Sequence, residues 1–498
     1  MARWQQAPIF VTVGAFGAST VSAEVTPEDV WQNWQRVSAA YGQALTADSV
    51  ARDGDTLVAK GVKTFMSEDG AEFNGTVEEM RFRDLGDGSV EVTASDTYKM
   101  AMNFPGEDGA KQAVNATILE PGLKVIATGT PEETHYAYEI PTFSLTMEAL
   151  EDGKAVADIR ADASAISGTY LVKSKGEITE GETSMALSDL NVAITGSDPE
   201  TPFTATAKSE NMTFSGSGTF IGLEPMVDLS DALKSGLKFD LSFSSGPSDL
   251  DLKVTEEGKA TSIKAATQSS DFSFGLSADN LRYGAGAKGG SWIVSGGDIP
   301  FPELTLSYAE VAFDLLLPVM ASDAPKDFTY VTRFVDFAVS PELWGIVDPA
   351  GAFPRDPATV IIDAKGKARL TTDLFDEEGM DALGDVPPGE IHALTLTELL
   401  VRAVGAELSG KADVTFDNSD LTTFDGVPAP TGTVDVTVTG GNGLLNKLVD
   451  LGLVAGEEAM GIRMMLAMFT KPGEGEDVLN STLEFKDKGF YANGQRLK

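Results

Sequence analysis

The chain contains no cysteine among its 498 residues and only two histidines. The lack of cysteine excludes disulfides, thiolate nucleophiles, iron–sulfur clusters and thiolate zinc sites. Basic residues are scarce as well: 37 Lys and Arg stand against 76 Asp and Glu, for a formal net charge of −39. Such a surface repels phosphates and anionic lipid headgroups, so we expect no nucleic acid partner and no electrostatic attraction to an anionic membrane.

The two histidines, His135 and His392, lie far apart in the sequence. A Ser-His-Asp triad would need one of them, but the chain has no G-x-S-x-G elbow. Neither histidine has a second His at metal-ligand spacing. We therefore predict that both occupy ordinary strand or loop positions, and we assign no catalytic residue, metal ligand or cofactor.

One glycine-rich segment, Gly284-Ala285-Gly286-Ala287-Lys288-Gly289, matches G-x-G-x-x-G. The dinucleotide fingerprint requires a helix directly after it, because the pyrophosphate binds at the N-terminus of that helix. Here the next residues, Ser291-Trp292-Ile293-Val294-Ser295, have the pattern of a strand. The segment is predicted to be a glycine-rich hairpin.

The many acidic residues raise two further possibilities. Asp417-Asn418-Ser419-Asp420 invites a calcium site, but it lacks the Gly and Glu that an EF-hand loop needs in register, so we predict a polar turn. Two carboxylates that meet in the fold could also hydrolyse a glycan, and the sequence leaves this alternative open.

Composition otherwise resembles that of a globular protein, with 42% hydrophobic and 23% charged residues. Because single cores stop growing at about 250–300 residues, the length favours two domains or one elongated assembly of sheets. We predict a boundary near residue 220, between an N-terminal β-rich region with a leading helix, 24–220, and a C-terminal β-rich region with helices, 221–498.

The N-terminus has the three parts of a secretory signal peptide. Arg3 supplies a positive charge, an apolar stretch runs from Ala7 to Val21, and Val21-Ser22-Ala23 has small residues at both ends. We predict cleavage after Ala23 and a periplasmic location. The apolar stretch is shorter than the ~20 residues of a bilayer span, so we expect no transmembrane segment after cleavage.

Hydrophobic periodicity indicates a mainly β, α+β fold. Thr26-Pro27-Glu28-Asp29 begins an amphipathic helix. From Ser49 to Lys208 the period is two, with turns at Asp-Gly pairs, which predicts an antiparallel meander. The pairs are Asp53-Gly54, Asp69-Gly70, Asp87-Gly88, Asp108-Gly109 and Asp152-Gly153.

Further helices are predicted at Leu223 to Leu237, from Pro302 to Leu317, and in short pieces through Trp344. Two more, Gly443 to Leu453 and Glu457 to Phe469, precede a hairpin over residues 481–492. Together these patterns predict extended antiparallel β-sheets with several amphipathic helices packed on them.

Met460, Met464 and Met468 recur at spacings of four and would share one face of the last predicted helix. Methionine is flexible and polarisable, so the stripe could line a groove for a lipid or a peptide. Methionines also fill gaps in ordinary cores, and we predict this structural role for the stripe.

Several segments together resemble one family: Val25-Thr26-Pro27-Glu28-Asp29-Val30-Trp31, Ile299-Pro300-Phe301-Pro302, Pro354-Arg355-Asp356-Pro357-Ala358 and Leu483-Glu484-Phe485-Lys486. They are similar to the domain-of-unknown-function family 2125, exported proteins of alphaproteobacteria, over nearly the whole chain after Ala23. The family has no established activity, so the resemblance implies a compartment and a size and no site residue.

Two functions follow as hypotheses. The first is a non-enzymatic binding or structural protein of the bacterial envelope, with an apolar surface for a lipid, a peptide or an envelope protein. The second is a carboxylate-based hydrolase that acts on an envelope glycan. A long apolar groove would favour the first, and a closed acidic cleft with raised carboxylate pKa values would favour the second.

Overall fold

The computed structural model of the chain describes residues 24–40, 42–68, 70–106, 110–175, 178–198, 200–221, 229–384 and 386–498. Strands make up 64% of the described residues and helices 13%, which confirms the predicted β-rich, antiparallel class. The predicted signal peptide and its cleavage site after Ala23 lie outside the described residues. Within the part of the chain that is described, no helix combines the length and the hydropathy needed to cross a bilayer.

The elements follow one another in chain order. The first seventeen are α1 Pro27–Ala40, β1 Ala44–Asp53, β2 Thr56–Glu68, β3 Ala71–Asp84, β4 Val90–Ala94, β5 Thr97–Pro105, β6 Lys111–Leu119, β7 Lys124–Gly129, β8 Glu133–Glu151, β9 Lys154–Lys175, β10 Ile178–Gly196, β11 Phe203–Ile221, α2 Leu229–Lys234, β12 Lys238–Ser245, β13 Ser248–Glu256, β14 Lys259–Thr267 and β15 Ser269–Leu276. The others are β16 Asn280–Gly296, β17 Leu304–Pro318, β18 Lys326–Val339, α3 Pro341–Val347, β19 Ala358–Leu370, α4 Glu377–Leu383, β20 Gly389–Ala403, β21 Ala406–Asp417, β22 Ala429–Thr439, α5 Gly441–Asp450, α6 Gly456–Phe469, β23 Lys471–Pro472, β24 Val478–Lys486, β25 Gly489–Ala492 and β26 Gln495–Arg496.

The chain divides into two compact units. Unit 1 comprises the described parts of Met1–Pro225, Phe239–Ser269 and Val294–Pro300. Unit 2 comprises the described parts of Met226–Lys238, Ser270–Ile293 and Phe301–Lys498. The boundary near residue 220 stays a prediction.

Unit 1 is an antiparallel meander, as its alternating pattern predicts. β1, β2 and β3 pair in sequence; β3 then pairs with both β4 and β5, and β8 pairs with both β6 and β7. β4 with β5, and β6 with β7, thus each behave as one interrupted strand. β8, β9, β10, β11, β13 and β14 continue the sheet.

The Asp-Gly signals act through their backbone conformation. Asp152 and Gly153 link β8 to β9 with φ values of 48° and 76°. Positive φ at both central residues is what a two-residue type I′ turn requires. Asp69 and the pair Asp108-Gly109 lie outside the described residues.

A line of irregular backbone crosses the sheet of unit 1. Gly61, Ala165 and Asn211 adopt left-handed conformations inside β2, β9 and β11, with φ of 59°, 48° and 51°. The same line passes through the links between β4 and β5 and between β6 and β7. We call it the break. It separates a proximal half, which contains β4 and β7, from a distal half, which contains β5, β6, β13 and β14.

The proximal half holds the core of unit 1, which α1 closes. Thr26 begins this helix, because its Oγ1 accepts a hydrogen bond from the Asp29 amide at 3.2 Å and its own amide donates to the Asp29 carboxylate at 3.0 Å. Trp31 and Trp34 contact the Phe82 ring edge-to-face, with ring centroids 5.8 and 5.6 Å from the Phe82 centroid. Phe82 is fully buried.

Unit 2 is a second meander, in which β17 to β22 pair in sequence and β24, β25 and β26 follow. α3 lies between β18 and β19, and α5 and α6 lie between β22 and β23. The predicted helices Gly443 to Leu453 and Glu457 to Phe469 and the final hairpin are confirmed, and α2 forms part of the predicted helix Leu223 to Leu237.

The prediction of a helix from Pro302 to Leu317 is wrong, because these residues belong largely to β17. Most of the region expected to hold short helical pieces through Trp344 is β18, with α3 after it. Leu315, Leu316 and Leu317 are all half-buried, so apolar residues occupy both faces of β17 near its end. Apolar residues on both faces hide the period of two and leave a spacing that resembles a helix.

Candidate binding surface

The distal half of unit 1 has one face that is apolar across ten strands. The pairing register places one residue from each strand in a continuous row. The middle row consists of Thr64, Gly75, Met100, Ala116, Met147, Ile159, Ile194, Ala205, Leu252 and Ile263.

Two parallel rows flank it, one beginning Val62, Val77, Tyr98 and the other Met66, Phe73, Met102. We call the three rows together the distal apolar face. Neighbouring strands lie about 4.8 Å apart, so ten strands extend it over roughly 43 Å.

The opposite face of the same strands is polar. Alternation along each strand sends every second side chain to that side. One row there consists of Lys63, Thr76, Lys99, Thr117, Thr146, Arg160, Ala193, Thr206, Asp251 and Lys264. The sheet is therefore sided: most hydrocarbon side chains lie on one surface, although Phe65 and Leu119 are exposed on the polar side.

Burial differs between the two halves of unit 1. In the proximal half, Phe82 and Val90 have no exposed surface and Ile140 is 1% exposed. In the distal half, Val62 and Val77 next to the break are 4% and 9% exposed and belong to the same core, whereas Met147 and Ile194 farther from the break are only half-buried. The aromatic contacts of α1 are made to Phe82 and Tyr136, which both belong to the proximal half. The distal apolar face thus retains surface that a ligand could remove from water.

A cleft of about 530 Å³ opens at the break on the polar side of unit 1. Lys63, Lys99, Glu78 and Asp96 are among its lining residues. The Lys63 ammonium already pairs with Asp48 at 2.6 Å, and the lining carries charges of both signs. The cleft is therefore suited to water or a small polar group rather than to an anion.

Unit 2 also carries an apolar row. It consists of Leu315, Tyr330, Ala364, Leu396, Ala412, Val434, Leu483 and Ala492. Phe272, Tyr283, Phe313 and Tyr330 form a ladder of ring contacts with centroids 5.6 to 5.7 Å apart. Part of this sheet is covered, since Val414 is 6% exposed and Leu445 of α5 is 8% exposed.

The methionine stripe does not have the core role that we predicted. Met460, Met464 and Met468 are 62%, 65% and 58% exposed, and the neighbouring Met465 is 55% exposed. These four residues of α6 form what we call the methionine face. Ala459, on the other side of α6, is fully buried. The helix therefore packs through its small and branched side chains and leaves its methionines in solvent.

Both histidines lie in strands, as predicted. His135 of β8 has its Nε2 3.5 Å from Glu133, and His392 of β20 has its Nε2 3.4 Å from Glu390. No group of three or more His, Asp or Glu side chains among the described residues is arranged to hold a metal ion.

The G-x-G-x-x-G segment lies inside the single strand β16, so the predicted hairpin is wrong. Its glycines make room for side chains of neighbouring strands. A Cβ at Gly284 would lie 2.6 Å from Ser273 Oγ, and one at Gly286 would lie 2.9 Å from the Asp271 carboxylate. The motif therefore has a packing role here.

Asp420 lies in the polar turn that the sequence predicts. Its carboxylate accepts hydrogen bonds from the amide and hydroxyl of Thr423 at 3.1 and 2.8 Å and from Lys488 Nζ at 2.9 Å. Lys488 and these turn donors hold the pKa of Asp420 far below its usual range. The oxygens that a calcium ion would need are thus engaged by the turn itself.

Asp271 and Asp314 form the carboxylate pair that comes nearest to the hydrolase hypothesis. Burial and the negative charge of Asp271 raise the pKa of Asp314, while Arg333 opposes the change. Both aspartates are exposed on the polar face of unit 2. An exposed pair lacks the enclosure that general acid catalysis of glycan cleavage uses.

The distal apolar face escaped sequence reasoning because it depends on the register of ten strands. Alternation within each strand was visible, but no local signal aligns Met100 with Ala116 and Met147.

The chain matches no protein-family model, no curated protein and no solved structure.

Proposed function

We propose that the protein is a non-enzymatic binding protein of the bacterial envelope and that its distal apolar face holds the hydrocarbon chains of a lipid. The observation that carries the proposal is the apolar row that runs through ten strands of unit 1, in which all residues except the buried Gly75 and Ala116 are only half-buried. Its length of roughly 43 Å exceeds the ~15 Å that the chains of one bilayer leaflet span.

Hydrocarbon fits this surface energetically. Burial of one CH₂ group contributes about 0.8 kcal/mol, so about twelve buried groups contribute roughly 10 kcal/mol. Association costs at least about 4 kcal/mol, which leaves enough for measurable affinity. Tyr98 and Thr64 are the polar members of the rows near the break, and the centre around Met147 and Ile194 is wholly apolar.

A peptide fits less well. Peptides that bind to sheets gain most of their affinity from main-chain hydrogen bonds at a free strand edge. β8, β9 and β10 are paired on both sides, so the central strands of the distal apolar face offer no free edge.

Export and family membership belong to the same proposal. A signal peptide cleaved after Ala23, a periplasmic location and membership of family 2125 would place the protein beside envelope lipids. The amphipathic helices complete the proposed architecture, and the packing of α1 on the proximal half supports it.

Two matched variants of β10 test the lipid proposal. Ile194→Asp places a carboxylate on the distal apolar face, whereas Thr195→Asp places the same charge on the polar face one residue later. We expect Ile194→Asp to weaken binding of a fluorescent fatty acid and of a fluorescent phospholipid at least tenfold, because a charge cannot be buried under a hydrocarbon chain.

Thr195→Asp should bind both lipid probes with an affinity within twofold of that of the unaltered protein. Circular dichroism should show that both variants are folded. Native mass spectrometry of protein purified from a bacterial periplasm should show bound lipid at defined stoichiometry. Equal binding by both variants, or no binding of either probe by the unaltered protein, would refute the proposal.

A carboxylate hydrolase is the second candidate, since the raised pKa of Asp314 is the property that a general acid needs. If the protein is such a hydrolase, incubation with isolated envelope glycan should release reducing ends, and the Asp314→Asn variant should not release them. No release by the unaltered protein would remove this candidate.

A further inference from the structure

The methionine face of α6 is an apolar surface on unit 2 that the lipid proposal does not use. Four methionines that are each more than half exposed lie on one side of a 14-residue helix. Leu453, in the segment just before this helix, is 67% exposed. A single exposed apolar residue needs no explanation, but a contiguous group marks an interaction surface.

The rest of α6 is fixed in place, so the helix cannot turn its methionines inward. Arg463 Nη2 donates a hydrogen bond to Asn446 Oδ1 of α5. At the other end, the Phe469 carbonyl accepts hydrogen bonds from Ser481 Oγ at 2.6 Å and Asn493 Nδ2 at 2.8 Å. The methionine face is thus held outward by contacts on the opposite side.

The charge around this surface restricts its partner. Residues 441–478 contain six acidic and three basic residues. Glu457, one turn before Met460, and the adjacent Glu458 are exposed. Two of the bases are already hydrogen-bonded, Arg463 to Asn446 and Lys471 to the Asn493 carbonyl. The whole chain carries a formal charge of −39, so a second copy of it would be repelled, as would an anionic bilayer.

We propose that the methionine face binds a cationic amphipathic helix of another protein, with apolar side chains among the methionines and Lys or Arg beside the acidic residues. Unbranched methionine side chains adapt to different apolar surfaces, which suits a helix laid across them. α6 is about 21 Å long, which matches a partner segment of about four turns.

The probe is a synthetic 14-residue helical peptide of Leu and Lys with Leu on one face. Its control replaces every Lys by Glu and keeps the apolar face. We expect the lysine peptide to bind the full chain in isothermal titration, with affinity that falls as salt is raised, and the glutamate peptide to bind at least tenfold more weakly.

Variants of the chain locate the site. M460Q/M464Q/M468Q should weaken binding of the lysine peptide at least tenfold, because the apolar contact is lost. I346Q/V347Q changes two exposed apolar residues at the end of α3, which are 62% and 76% exposed, and should leave the affinity within twofold. E457K/E458K should weaken binding without altering the methionines.

Unchanged affinity in the methionine variant overturns the proposal, and so does equal binding of the two peptides. Sedimentation that shows a dimer abolished by M460Q/M464Q/M468Q would identify a second copy as the occupant. Co-flotation of the unaltered protein with vesicles of anionic phospholipid, lost in the same variant, would identify a membrane instead.

Discussion

The proximal and distal halves of unit 1 share strands and share the alternation of apolar and polar residues, yet only the proximal half is closed. Phe82 and Phe73 lie in the same strand β3, on either side of the break. Phe82 is fully buried under two tryptophans of α1, and Phe73 is half-buried. Alternation therefore decides which face of a sheet is apolar, and a covering element decides whether that face becomes a core.

The largest effect expected from this difference is on stability. Phe82→Ala should lower the free energy of unfolding by about 3–5 kcal/mol, because it leaves a cavity in a closed core. Phe73→Ala should lower it by about 1 kcal/mol, since solvent already reaches the side chain. Urea unfolding followed by tryptophan fluorescence measures both losses, and Trp31 and Trp34 are two of the five tryptophans that contribute to the signal. Equal losses would mean that the two halves are packed alike.

A smaller effect on stability, which depends on pH, is expected from Glu120 at the break, in the link between β6 and β7. Burial raises the pKa of Glu120 from 4.5 to about 7. Because the folded state disfavours the carboxylate, stability should be unaffected by Glu120 below pH 4.5 and should fall as the pH rises toward 7.

Glu120→Gln should remove this fall and make the protein more stable at neutral pH by about 1–2 kcal/mol, a value reduced because the side chain is only half-buried. Glu72→Gln, at an exposed position of β3, is the control. A difference between Glu120→Gln and the unaltered protein that is the same at pH 4 and at neutral pH would contradict the assignment.

The smallest effect is expected on the surface of the proximal half. Arg52 Nε and Nη2 donate hydrogen bonds to the two Glu28 oxygens at 2.8 and 2.6 Å, and Arg52 holds the pKa of Glu28 below 4.5. Both side chains are about 40% exposed, so Glu28→Gln should cost at most about 1 kcal/mol.

This stabilisation should be present above pH 4.5 and should disappear as the pH falls through the lowered pKa of Glu28. High salt should also abolish it. A loss that persists in high salt would indicate that Glu28 contributes to α1 by packing rather than by charge.

Much of the fold could be predicted because it is encoded locally. Asp152-Gly153 specifies a primed turn, and Thr26 with Asp29 specifies the start of α1. β17 could not be predicted, because its apolar residues occupy both faces and imitate a helical spacing. The packing role of Gly284 and Gly286 could not be predicted either, because it depends on Ser273 and Asp271, which lie opposite them in the structure.

The candidate surfaces were less predictable than the fold. The distal apolar face depends on pairings that join ten strands, and only three-dimensional register reveals it. The methionine stripe was visible in the sequence, but the same spacing describes a buried and an exposed face. Exposure of Met460 and Met464 follows from the anchoring of the other side of α6, where Arg463 donates a hydrogen bond to Asn446 of α5, and the stripe itself does not specify this contact.

The meander of unit 1 makes the distal apolar face adjustable in length. Each strand there pairs mainly with its neighbours along the chain, so a hairpin such as β10 with β11 is a self-contained segment. Duplication or deletion of one hairpin would change the extent of the face by two strand spacings, about 9.6 Å, and would leave the other strands in register. The length of the distal apolar face across the strands could therefore change through the number of hairpins alone.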